Sequence, residues 1–228
     1  MFRTRDSTTL LTLWKALILP IIDYCSQLWA PHKQDHIMQL EALQRTFTSS
    51  IQKPATTREG ENLNYWQRLA EFDLYSIERR MERYHIIYTW KILEGQITPP
   101  KTDPIKPATN QDNPRTGRKC AQLHLPSESS ARVKTLQHHS ISRKGARLFN
   151  HLPKHLRNTT NVKLEVFKRE LDKFLSTLPD QPGISGYTTS RPASSNSITD
   201  QLDYKHQNDR WRLRRGLVSH TIEGATLP

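Results

Sequence analysis

The sequence predicts a mainly α protein: a helical bundle, then a small α+β extension with a short β-hairpin, then a disordered tail. Three observations predict it. Apolar residues recur at helical spacing through the first hundred positions, prolines interrupt the pattern after residue 97, and Ser, Thr, Asn and Gly dominate after Pro182.

The opening, LWKALILPIIDYCSQLWAP, is the least polar stretch of the chain. A membrane-spanning helix needs about 20 apolar residues, yet Lys15 and Asp23 enclose only Ala16 to Ile22, with Pro20 among them. DYCSQLW is no small-residue cleavage site either. The segment therefore reads as buried core, a helix pair joined near Pro20. Next, Ile37, Leu40, Leu43, Phe47 and Ile51 fall on one helical face, with Asp35 as the expected N-cap. Asn64 and Gln67 form a capping box for a short helix. Ser76 caps a longer one striped with Ile77, Met81, Tyr84 and Tyr88, which Gly95 ends in the left-handed conformation.

Five prolines within residues 97–118 make that stretch a linker. In KCAQLHLP, Ala121, Leu123 and Leu125 alternate with Gln122 and His124, as in a strand with one buried face, and a second extended piece is expected around Thr135–Ile141. A short helix stopped by Pro153 follows. Leu164, Phe167, Leu171, Phe174 and Leu178 mark the last helix, stopped at Pro179. The expected organisation is thus a helical domain over 1–96, a linker over 97–118, a basic α+β extension over 119–180 and a disordered tail over 181–228. The tail carries one basic patch, WRLRRG.

Two cysteines 95 residues apart exclude a disulfide scaffold and fit a reducing compartment, nucleus or cytoplasm. The formal charge of +12 favours an anionic partner, nucleic acid before membrane. It is concentrated in residues 99–160, where 12 Lys and Arg stand against 3 Asp and Glu, a net of +9. Arg118, Lys119, Arg132, Lys134, Arg143, Lys144 and Arg147 flank the expected strand and short helix, placed to reach the phosphates of RNA or single-stranded DNA without being buried. Phe149 is the only aromatic in residues 99–160, so charge rather than base stacking would carry the binding.

No catalytic, metal or cofactor site is expected. GxxxxGK[ST] and GxGxxG are absent, so no phosphate cradle is visible. His32/His36 and His151/His155 have i, i+4 spacing but lack the Glu of HExxH or a nearby Cys. Asp103 and Asp112 stand alone in the linker, and no adjacent Asp pair exists to hold two metal ions.

Six stretches, LWKALILPIIDYCSQLWAP, LEALQRTFTSSI, LNYWQRL, YSIERRMERYHIIYTWKILEG, ARLFNHLP and VFKRELDKFLSTLPDQP, occur in this order. Together they resemble the C-terminal region of the reverse transcriptase polyprotein of non-long-terminal-repeat retrotransposons, jockey and chicken-repeat type, from about residue 3 to about 200. The resemblance implies a helical thumb with a C-terminal extension, following a palm that copies RNA into DNA. The Ala-Asp-Asp polymerase signature does not occur in these 228 residues, Leu19 stands where many relatives have Arg, and Trp14 replaces a common Tyr. The implied protein is a fragment of an RNA-directed DNA polymerase that is not an enzyme on its own, with Met1 an internal methionine or the start of a truncated copy. Its residual activity would be RNA or single-stranded DNA binding. Its apolar opening would face the missing palm and fingers, or a second copy, and no membrane. The alternatives are a relic without function and a cellular nucleic-acid-binding module derived from such an element.

Overall fold

In the computed structural model, residues 6–51, 63–98, 105, 122–125, 140–182 and 196–202 are described. Helices dominate them. The linker apart from residues 97, 98 and 105, half of KCAQLHLP, the expected second extended piece up to residue 139, and WRLRRG lie outside the described residues.

The chain opens on α1 (Ser7–Leu13), capped by the Asp6 carboxylate, which accepts from Thr9 N–H at 3.1 Å. The helix does not end at Pro20. A π-helical turn over Trp14–Ile18 widens the ladder, and α2 (Leu19–Asp23) continues with Pro20 in its first turn. A proline ring clashes with the carbonyl four residues back, and an inserted wide turn relieves the clash without stopping the helix. The break comes at Cys25, which adopts a left-handed conformation (φ 51°), and α3 (Ser26–Trp29) follows.

α4 (Gln34–Ser50) departs from its expected pattern. Ile37 and Ile51 are buried and Leu40 and Phe47 half-buried, but Leu43 is exposed, and Glu41, Gln44 and Thr48 point inward instead. Lys33, not Asp35, occupies the N-cap, without a side-chain bond. The cause is what α4 faces. Glu41 accepts from the Ile77 backbone N–H at 2.9 Å and from the Tyr65 hydroxyl, while Gln44 Nε2 donates to the Tyr75 carbonyl at 2.9 Å. A helix N-terminus offers unpaired N–H groups, so the helix packed beside it presents acceptors.

α5 (Tyr65–Glu71) carries the expected Asn64/Gln67 capping box. α6 (Ile77–Leu93) starts at Ser76, whose hydroxyl accepts from Arg79 N–H, and ends beside Gly95 at φ 70°. Its N-terminal half (Ile77, Met81) packs with Trp14, Leu19, Ile22, Tyr65, Leu69 and Leu74. Its C-terminal half (Ile86, Ile87, Trp90) belongs to a second core with Leu148, Phe149, Leu156, Phe167 and Leu171. The boundary expected at residue 96 therefore does not separate two cores, because α6 serves both.

That second core is closed by α7 (Ile141–His151), α8 (Lys154–Arg157) and α9 (Leu164–Leu175). Trp90 stacks on Phe167 with centroids 4.6 Å apart and donates its indole N–H to the Thr159 carbonyl. No strand occurs among the described residues. Leu123 lies in extended backbone, yet its N–H and C=O both bond the side-chain amide of Asn150, at 2.7 and 2.9 Å. Leu123 makes an isolated β-bridge, and the Asn150 amide adds to it from α7. Leu123 is buried, but Leu125 is exposed, so the expected alternation reaches the core at one residue.

One part of the expected disordered tail, residues 196–202, departs from that expectation, and residues 183–195 and 203–228 lie outside the described residues. Residues 198–202 form a helical turn whose Ile198 and Leu202 are buried in the second core. Two apolar side chains four apart present one face of the turn to that core.

Candidate functional site: a charged cleft between α6 and α7

α6 and α7 cross at Gly145. A Cβ there would lie 2.3 Å from Thr89 Oγ1, so only a glycine allows this approach. The close crossing turns the basic side of α7 toward α6. Of the seven cations expected to meet phosphates, Arg118, Lys119, Arg132 and Lys134 lie outside the described residues. The other three are brought together on α7 but do not share one environment. Arg143 is 6% exposed, contrary to the expectation of an accessible side chain. Lys144 has 16% of its side chain exposed, with Nζ 3.9 Å from Glu82 Oε1. Arg147 is half-buried.

Lys144 and Arg147 line one wall of a cleft of about 450 Å³, together with His151 one turn further along α7. Glu78 and Glu82 of α6 contribute the opposite wall, and His32 and Gln34 close one end, ahead of and at the start of α4. Ser197, Thr199 and Asp200 form the remaining side. The two carboxylates are committed to residues 196–202. Glu78 accepts from Asn196 N–H at 2.9 Å, and Glu82 from Ile198 N–H at 2.7 Å and Ser197 Oγ at 3.0 Å. They act as caps for a short helical turn more than a hundred residues away in sequence.

Burial, with the neighbouring Glu82 charge, pushes the Glu78 carboxyl up to about 7. On the same helix, burial and the charge of Lys144 hold the His85 imidazole down to about 4, so it stays neutral and donates its Nδ1–H to the Met81 carbonyl at 2.9 Å. The cleft thus pairs a cationic wall with an acidic one. It can hold a ligand group through charge and hydrogen bonds. Among the described residues no cluster of His, Cys, Asp and Glu could hold a metal ion. His151 points a ring nitrogen at the Arg147 carbonyl, 2.8 Å away, while His155 is exposed.

Sequence reasoning reached Lys144 and Arg147 but missed Glu78 and Glu82. The signal available was their i, i+4 spacing beside Ile77 and Met81, which places both next to the core stripe. No helix among the described residues is long and apolar enough to cross a membrane. No protein-family model, curated protein or solved structure matches the chain.

Proposed function

We propose that this chain is the thumb and C-terminal-extension region of a non-long-terminal-repeat retrotransposon reverse transcriptase, and that it binds RNA or single-stranded DNA without catalysing polymerisation. The observation that carries the reading is the order of the six resembling stretches, five of which bond one another. Glu41 of LEALQRTFTSSI bonds Tyr65 of LNYWQRL and Ile77 of the α6 stretch. Asp23 of the opening stretch receives Arg80 at 2.7 and 2.6 Å. Asp180 of VFKRELDKFLSTLPDQP receives both the backbone N–H and the hydroxyl of Ser76, each at 2.7 Å. These polar pairs join the stretches into one folded unit, which the reading requires.

Binding is assigned to Lys144 and Arg147 at the cleft, with the basic residues 118–134 as further contacts. Sequence-tolerant phosphate binding releases counterions, so affinity falls with salt at a slope of about −0.7 per phosphate neutralised on a single strand. The test is titration of a fluorescent RNA or single-stranded DNA oligonucleotide at several salt concentrations, with wild type and with Lys144→Ala/Arg147→Ala. Arg143 is left intact because it is buried. The double variant is expected to bind several-fold more weakly with a shallower salt slope. Equal binding by both proteins, or binding indifferent to salt, removes this assignment. With magnesium, nucleotides and a primed template, no extension above a no-protein control is expected.

A further inference from the structure

The opening stretch buries only part of its apolar content. Trp14, Leu19 and Ile22 enter the core, and Trp14 stacks on Phe47 with centroids 4.2 Å apart. The other side of the same run stays open. Leu17 is 58% exposed, Ile21 70%, Tyr24 76% and Leu28 69%, with Ile18 and Trp29 at 39% and 42%. These residues adjoin. Leu17 and Ile21 sit one turn apart, and Trp29 Nε1 donates to the Tyr24 carbonyl at 2.7 Å, closing the Cys25 turn beside them.

We infer that this face, Leu17 to Trp29, is a homodimer interface that takes a second copy of the chain. Area is the first argument. A large side chain presents about 150–250 Å² when fully exposed, so these fractions amount to roughly 700 Å² per copy. A stable interface uses about 800 Å² per partner, whereas the largest apolar patch on an ordinary monomer is about 300–600 Å².

Charge selects the occupant. The chain carries +12, so two copies repel wherever basic surfaces meet. Residues 16–31 contain no Lys or Arg, and their single carboxylate, Asp23, is satisfied by Arg80 and by the Tyr84 hydroxyl at 2.9 Å. Two copies can therefore meet here without opposing charges. A twofold pairing of this patch with itself is closed, which limits assembly to a dimer. Because the contact is uncharged and the remaining surfaces repel, salt strengthens it, the opposite of its effect on polynucleotide binding.

The experiment is sedimentation velocity of the 228-residue chain across micromolar concentrations at low and high salt. The comparison proteins are Leu17→Glu/Ile21→Glu and, as an independent pair beyond the Cys25 turn, Tyr24→Ser/Leu28→Glu. Wild type is expected to reach twice 26.6 kDa. Both variants should keep the same helical circular dichroism and dissociate at least about tenfold more readily. The inference is overturned if wild type stays monomeric throughout, if a folded variant dimerises as tightly, or if wild type forms open-ended aggregates without a discrete dimer. A monomer that floats with neutral lipid vesicles would also overturn it, by making the face a lipid surface.

Discussion

Gly145 faces Thr89 so closely that the crossing of α7 over α6 depends on a missing methyl group. The atom in conflict is the hydroxyl of the buried, β-branched Thr89, whose side chain has few alternative rotamers in a helix. Gly145→Ala is expected to destabilise the fold by about 1–3 kcal/mol despite alanine's better helix propensity. Urea denaturation checks it. Thr89→Ala in the same chain should recover part of the loss, since it removes the atom in conflict.

Arg79 is fully buried and donates to the carbonyls of Leu175, Leu178 and Pro179, at 3.3, 3.0 and 2.7 Å. It satisfies the end of α9 from within α6, and Asp180 lies 3.5 Å from its Nε. Arg79→Ala leaves Asp180 without its cation and removes the Arg79 donors from the Leu178 and Pro179 carbonyls, costing about 3–5 kcal/mol. Arg79→Lys should recover only a minor part, because a single ammonium cannot span the three acceptors. Equal thermal midpoints for wild type and Arg79→Ala would contradict this account.

Two opposing ionisations shape the pH dependence. The Glu78 carboxyl rises from 4.5 to about 7 on folding, so its contribution is fully present below pH 4.5 and lost as pH climbs through about 7. The Glu41 carboxyl, also raised to about 7 by burial, acts in the same direction. The His85 imidazole falls from 6.5 to about 4, so its contribution is present above pH 6.5 and lost as pH falls toward 4. Between these values the slopes oppose. Glu78→Gln should therefore gain stability relative to wild type as pH rises from 4.5 to 8, by up to about 3 kcal/mol. Chemical denaturation of both proteins along that pH series is the measurement, and a constant difference would refute it.

Residues 196–202 are held by Glu78 and Glu82 and anchored by Ile198. Ile198→Ala should cost about 2–4 kcal/mol. The Ile198 amide, bonded to Glu82, should exchange with solvent slowly in the wild type. Fast exchange there in the intact chain would show the segment undocked.

The local grammar of the helices was legible without coordinates. The Asn64/Gln67 box, the Ser76 cap, the Gly95 terminus and the stop at Pro153 depend on residues no more than four apart, so their chemistry is complete within a short window. Half the candidate site was legible too, since Lys144 and Arg147 stand out by charge. Tertiary structure alone decided that Arg143 is buried, that Glu41 and Gln44 rather than Leu43 face inward, and that Glu78 and Glu82 hold a segment expected to be disordered. Those outcomes rest on partners 36 and 116 residues apart, Ile77 with Glu41 and Ile198 with Glu82. In a linear pattern each carboxylate reads as a solvated charge. It becomes an inward-facing group only when folding delivers unpaired backbone N–H groups to it, because a buried charge is tolerated only where such donors compensate for lost water.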